Sequence, residues 1–414
     1  MLIGQKIDFL YKEQEYTGTY ISSNENTITV KLESGYNITM NRKDLTIRKE
    51  YKIEENPIQK SVSENGGCGD SGICILTTGG TIGSSVDYKT GAVKPVKDIS
   101  YLYNYVPNIS QFKLYHENID NILSENVNAE KWIKFARKAR DAMKNENSVI
   151  IFHGTDTMQY SASALSFMFE EQTKPIIFTG SQRSSDRPSS DAFLNIEGSI
   201  HFASMDFGEV GIAMHSGTSD DSVSLHRATR TRKMHTSRRD AFLSIDESTM
   251  ALYTHGSVNK KAKMGKGSEN IVLKDRLDTN IGLIYFYPGM REEDFYNLSY
   301  NKKAVIILGT GLGHTSGEII SVIRKLSKET AFFMTSQCIY GNVNMNVYST
   351  GRELMKAGTI PLGNMLAETA MVKAMYLAAN YPDDFVELMQ KNLRGELEDV
   401  LKSNAPGSHR EPVP

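Results

Sequence analysis

Ile73-Cys74-Ile75-Leu76-Thr77-Thr78-Gly79-Gly80-Thr81-Ile82-Gly83 is the stretch that sets the fold of most of this 414-residue chain. An unbroken apolar run, too short for a helix, ends in small polar residues and two adjacent glycines. That is the pattern of a strand buried on both faces and leaving the core through a sharp turn. The pattern recurs where Val149–Phe152 runs into His153-Gly154-Thr155-Asp156-Thr157, and where Ile176–Phe178 runs into Thr179-Gly180-Ser181-Gln182-Arg183. Further apolar runs follow at Gly211–Met214, Leu283–Tyr287, Ala304–Leu308 and Ala331–Met334. Helical stretches lie between several of them. In Ala129–Lys144, Trp132, Ala136, Ala139 and Met143 share one face and Asn128 is placed to cap the first turn. Buried runs alternating with amphipathic helices predict an α/β body with largely parallel sheets.

Before this body the pattern is different. Ile28, Val30 and Leu32 alternate with polar residues, Glu33-Ser34-Gly35 supplies a turn, and Tyr36, Ile38 and Met40 resume the alternation. Four or five short strands of this kind predict a small β-barrel over residues 1–53. Residues 54–72, poor in apolar side chains and containing Gly66-Gly67, read as a linker. The body divides into an N-terminal α/β domain over 73–265 and a smaller C-terminal α/β domain over 275–403, with Asn259–Asn270 as the polar approach to the second. The tail from Asn404 has no apolar periodicity.

Composition excludes several classes. The content of 39% hydrophobic and 23% charged residues is that of a globular protein, not of a disordered or collagenous one. The 47 basic and 49 acidic residues give a net charge of −2, so no global field gathers nucleic acid. No apolar run approaches the ~20 residues of a membrane span, and charges interrupt Met1 to Tyr16, so neither membrane insertion nor a signal peptide is expected. Three cysteines without a C-x-x-C spacing predict reduced thiols in a cytoplasmic protein.

Parallel sheets present ligands at the carboxyl ends of their strands, which directs attention to the strand exits. At the first, Gly79-Gly80 frees backbone N–H groups beside the hydroxyl of Thr81. This suits an oxyanion hole next to a nucleophile; a purely structural turn or a phosphate loop lacking Gly-Lys-Ser/Thr is the alternative. Thr155-Asp156 reads equally as helix capping. The run from His226 to Arg239 holds six Lys/Arg residues and no acid. It is a solvated face, a phosphate contact, or the source of one inward lysine able to activate a threonine. Gly309-Thr310-Gly311-Leu312-Gly313 has the wrong spacing for a dinucleotide loop, and nine scattered histidines show no metal-ligand spacing, so no metal is expected.

Thr78-Gly79-Gly80-Thr81-Ile82 and His153-Gly154-Thr155-Asp156-Thr157-Met158, in this order, resemble the two signatures of the bacterial-type L-asparaginase family. The likeness runs from about Gly72 to Pro382. Segments such as Val86–Val93, Arg232–Asp240 and Ser349–Leu354, with the N-terminal barrel, are similar to one branch of it, the D subunits of archaeal glutamyl-tRNA(Gln) amidotransferases. The resemblance implies Thr81 as nucleophile and Tyr88, on a mobile loop, as the group that takes its proton. It implies a second set, Thr155, Asp156 and Lys233, in which Lys233 and Asp156 polarise Thr155 or a water. Which threonine carries the acyl group stays open. Ser124 and Glu125 fall where the family grips the substrate's α-carboxylate and α-amino groups, Asp156 shares the ammonium, and the Ser181 carbonyl meets the side-chain amide. Backbone N–H groups near Gly80 would hold the oxyanion. Where free bacterial enzymes take an Asn from a neighbouring subunit, this chain has His314.

The same resemblance implies a glutaminase subunit that hydrolyses L-glutamine. A partner subunit of the E type, a kinase and transamidase carrying ATP and Mg, would use the ammonia on Glu-tRNA(Gln). No cofactor is expected in this chain, and a homodimer core within a heterotetramer is implied. The rivals are a stand-alone L-asparaginase, and a non-catalytic RNA-binding scaffold using the barrel and the basic run.

Overall fold

A computed structural model describes residues 5–32, 37–51, 68–69, 71–80, 82, 84–86, 93–95, 106, 109–184 and 190–398. Thr81, Tyr88, the Glu33-Ser34-Gly35 turn, most of the 54–72 linker and the tail from Asn404 lie outside the described residues.

The N-terminal alternation folds as an antiparallel five-stranded sheet. Its spatial order is Asn37–Asn41, Thr27–Leu32, Gln14–Ser23, Lys6–Tyr11 and Leu45–Glu50. Ile7, Phe9, Tyr20, Ile28, Val30 and Met40 form its small core. Register shifts at Asp8/Phe9 and between Tyr20 and Ser22 mark bulges, which bend strands and curl so short a sheet around its apolar face.

The body is built on an eight-stranded sheet in which five successive strands, running in from one edge, are parallel. They lie in the order Leu114–Asn118, Ile73–Thr77, Ser148–Phe152, Ile176–Thr179, Val210–His215. Ser222–Arg227, Ala251–Thr254 and Ser257–Lys260 extend it antiparallel. Every residue of Ile73–Thr77 and Ser148–Phe152 is buried, because helices cover both faces. Ala129–Lys144 and Met158–Met168 pack in one core and Ala192–Ala203 in the other. Trp132, Ala136, Ala139 and Met143 face inward, and Asn128 accepts from Lys131 N at 3.2 Å to cap the first of these helices. From Ile73–Thr77 the chain first moves outward to Leu114–Asn118, then returns to Ser148–Phe152 on the opposite side. The connections leaving Ile73–Thr77 and Ser148–Phe152 run to opposite sides, and a crevice opens at the carboxyl ends of these two strands.

A second sheet, Ile281–Tyr285, Ala304–Gly309, Ala331–Ser336 and Thr359–Pro361, is parallel in chain order. The helix Ala367–Asn380 leaves it and packs on Met158–Met168, with Tyr376 stacked on Phe167 at 6.3 Å. One apolar cluster therefore runs from Ile151 to Ile306 and Phe333. The segment after Phe385–Met389 is clasped under this joint. Lys373 and Glu396, both fully buried, pair at 2.6 Å, and Lys373 Nζ also donates to Met389 O. Arg394 reaches the carbonyls of Ser166 and Glu170.

The thiols depart from expectation. Cys68 and Cys74 are joined in a disulfide, with Cα atoms 5.7 Å apart, whereas Cys338 is free and exposed. Ser71, at φ +54°, reverses the chain, and Asn145 and Asn147 donate to Cys68 O and Gly69 O, so Cys68 is laid beside the strand that carries Cys74. Among the described residues no helix is long and apolar enough to cross a membrane.

Removing one partner of the buried pair leaves the other charge unmatched. Glu396→Ala should lower the unfolding free energy by about 3–5 kcal/mol, and a Lys373→Met/Glu396→Leu double variant by much less. Urea unfolding midpoints check this.

Candidate active site

The crevice is lined by four chain segments that touch backbone to backbone. Thr78 donates to Phe152 O through both its N–H, at 3.1 Å, and its hydroxyl, at 2.8 Å, which locks the two strand exits together. Gly80 has φ +79°, and a Cβ there would stand 2.5 Å from Gly154 N. A Cβ on Gly154 would in turn stand 2.7 Å from Ser124 Cβ, and one on Gly180 would stand 2.9 Å from Thr155 Cγ2. Only glycine fits at these contacts. Ser124 opens the short 3-10 turn Ser124–Asn126, and its carbonyl accepts from Thr157 Oγ1 at 2.7 Å.

Into this frame projects Lys233, the last residue of the strand Thr231–Lys233. Its Nζ donates to Thr155 Oγ1 at 2.8 Å and to Asp156 Oδ1 at 2.7 Å. The Lys233 side chain is 8% exposed, that of Asp156 70%, so the carboxylate faces the open crevice while the ammonium is sheltered. An ammonium held against a hydroxyl lowers the cost of charge developing on that oxygen, and the carboxylate keeps the lysine in place. The inward-lysine reading of the basic run is the one the geometry realises.

The remaining cations of that run are each matched by an acid. Arg227 pairs with Glu209 and Glu247, Arg230 with Glu398, Arg232 with Glu368, Arg238 with Asp240 and Arg239 with Asp220. The run is a series of ion pairs, not a free basic face.

Beneath Thr155, His153 is fully buried and holds the turn. Trp132 Nε1 can only donate, and does so to Ser161 Oγ at 2.8 Å. Ser161 is thereby oriented to give its own proton to His153 Nε2 at 2.9 Å, and His153 Nδ1–H donates to Gly154 O at 2.6 Å. Burial drives the His153 pKa down to about 4, against a smaller opposing effect of the Gly154 carbonyl.

Of the residues singled out from sequence, Thr155, Asp156 and Lys233 meet directly, and Gly80 and Ser124 adjoin them through Gly154. Glu125 is exposed on the Ser124–Asn126 turn, and Ser181 is buried in the turn after Ile176–Thr179. Thr81 and Tyr88 lie outside the described residues. Sequence reasoning missed Asp191 and Asn195. The Asp191 carboxylate accepts from Gln182 N and Arg183 N, and Asn195 Nδ2 donates to Gly180 O at 3.0 Å. Their i, i+4 spacing at the start of Ala192–Ala203 was the available signal. Among the described residues no cluster of His, Cys, Asp or Glu could hold a metal ion.

Known proteins share this arrangement of segments. Residues 72–264 match the family "Asparaginase, N-terminal", and residues 280–389 match "Glutaminase/Asparaginase C-terminal domain". The D subunit of the glutamyl-tRNA(Gln) amidotransferase from Thermoplasma volcanium is 49% identical over 95% of this chain and 97% of its own length. The protein of that name from Thermoplasma acidophilum is 46% identical over 94% and 95%. Among solved structures, the thermostable L-asparaginase from Thermococcus kodakarensis superposes with a TM-score of 0.73 at 28% identity, covering 79% of this chain and 99% of the asparaginase.

Two buried histidines give the body an acid limit. His153 and His226 are both lowered by burial from 6.5 to about 4. The unfolded chain takes up their protons first, so stability should fall as pH drops from about 6.5 through about 4, and these two groups contribute no slope above that window. Unfolding midpoints measured across pH 4–8 test the sign.

Proposed function

The chain belongs to the asparaginase family, within its branch of glutamyl-tRNA(Gln) amidotransferase D subunits, and from that premise we propose that it is the glutaminase component of such an enzyme. The observation that carries this reading is Lys233 Nζ bridging Thr155 Oγ1 and Asp156 Oδ1 in the switch-point crevice.

In the proposed reaction the Thr81 hydroxyl attacks the side-chain carbonyl carbon of L-glutamine. Its proton passes by way of Tyr88 to the leaving nitrogen, ammonia departs, and an acyl-threonine remains. Water then adds, activated by Thr155 with Lys233 and Asp156, and glutamate is released. Backbone N–H groups near Gly80 would stabilise the oxyanion, ordinarily the largest contribution in acyl transfer. Glu125 and Asp156 would bind the substrate ammonium, Ser124 its α-carboxylate and the Ser181 carbonyl its amide. The exposure of both acids suits this task.

ATP and Mg belong, on this proposal, to a partner subunit of the E type that activates Glu-tRNA(Gln) and accepts the ammonia in the cytoplasm. The five-stranded N-terminal sheet favours an amidotransferase component over a free asparaginase, since the Thermococcus enzyme matches over its whole length with a fifth of this chain left over. The neutralised basic run speaks against an RNA-binding scaffold.

Ammonia release from glutamine and asparagine should be measured with the chain alone, with the partner, and with Glu-tRNA(Gln) added. The proposal expects glutamine turnover to rise in the complete mixture; brisk asparagine turnover indifferent to both additions would refute it. Thr81→Val should abolish hydrolysis, and Lys233→Met should reduce kcat by about 100-fold to 10,000-fold. Full activity in either variant contradicts the site.

A further inference from the structure

Behind the Ser181 turn, a line of buried polar groups leads away from the crevice. Asn195 Nδ2 donates to Gly180 O at 3.0 Å and to Asp191 Oδ2 at 3.2 Å, both of them acceptors. This fixes the orientation of the amide, since the flipped form would set its oxygen against both. Asn195 Oδ1 must then accept, and it receives His215 Nδ1–H at 2.6 Å. On the other side of the ring, His215 Nε2 faces Asp220 Oδ1 at 3.1 Å, and the same oxygen accepts from Arg239 Nη1 at 2.8 Å. His215 thus stands between the amide oxygen of Asn195, on the side of the crevice, and a carboxylate held by Arg239. Asn195 and His215 are fully buried, and Asp220 and Arg239 nearly so.

We infer that Arg239 is a positioning residue for the turn Ser181-Gln182-Arg183, acting through Asp220, His215 and Asn195. The turn is held at one end by Asn195 on Gly180 O and along its length by Asp191 on the N–H groups of Gln182 and Arg183. Asn195 also touches Asp191, so one amide sets both supports. Arg239 thereby governs where the Ser181 carbonyl stands. Its place in the chain adds a second aspect. The residues from Met234 to Arg238 are exposed, with Lys233 in the crevice before them and Arg239 in the buried line after them. A displacement of this loop bears on both sides of the crevice at once. The consequence for substrate rests on the proposed role of the Ser181 carbonyl in meeting the amide; the mechanical coupling does not.

Arg239→Gln removes the charge that holds Asp220, and Arg239→Lys retains it. In Arg239→Gln, KM for glutamine should rise about tenfold while kcat stays within about twofold, as for a group that places the substrate without taking part in chemistry. Backbone amides of the 181–184 segment should exchange with deuterium about tenfold faster, and Arg239→Lys should restore both readouts in large part. Unchanged exchange in a folded Arg239→Gln protein, or an Arg239→Lys protein no better than Arg239→Gln, overturns the inference. If Arg239→Gln does not fold, Asp220→Asn, which keeps the side-chain shape, carries the same test. A wild-type chain and complex without glutaminase activity would remove the proposed function, while the exchange measurement would still decide the coupling.

Discussion

Gly80 and Gly154 lie against each other with no room for a single methyl group between them. They end the two strands from which the crossovers diverge, so their contact sets the width of the crevice on which the other placements depend. Gly154 admits Ser124 on its far side, and Gly180 admits the Thr155 methyl. The hydroxyl–carbonyl contact from Thr78 to Phe152 and the His153 hold on the Gly154 carbonyl maintain this spacing from either flank. The site is thus made of backbone first, with side chains projecting into a frame that backbone contacts have fixed.

Lys233 enters that frame from a different part of the chain, and its placement requires the two domains to be joined. The strand Thr231–Lys233 is anchored by Arg232 on Glu368, at the start of the helix Ala367–Asn380, and by Arg230 on the carbonyls of Asn364 and Glu396. Packing of that helix on Met158–Met168, whose own start carries Thr155 and Asp156 just ahead of it, brings donor and acceptors into register. Buried charge has a specifying role here. A displaced Glu396 would leave Lys373 charged and fully buried, which few alternative packings could accommodate.

Sequence alone exposed much of the fold and less of the site. Ile73–Thr77 and Ser148–Phe152 are legible because burial on both faces leaves an uninterrupted apolar run, and Ala129–Lys144 because one face and its Asn128 cap are local signals. The contact of Lys233 with Thr155 spans 78 residues, and no periodicity encodes it; family resemblance supplied the pairing. The basic run was ambiguous for a related reason. Its partners Glu209, Glu247, Glu368 and Glu398 come from other elements, so a window that shows six cations cannot show their neutralisation. The Cys68–Cys74 bridge follows from a reversal at Ser71 in the left-handed region, which a serine does not announce.

The clasp formed by Arg394 and Glu396 also bears on the order in which the molecule is completed. Arg394 caps carbonyls on Ser166 and Glu170, 228 and 224 residues earlier in the chain. At a synthesis rate of about 5–20 residues per second, the helix Met158–Met168 exists for roughly 10 to 45 seconds before Arg394 has been made. During that interval the face of the helix that will receive Ala367–Asn380 is uncovered, and Lys373, once made, still awaits its counter-charge. The N-terminal domain of a nascent chain is therefore a partly finished object with an apolar flank, and the last contacts to form are those that close it.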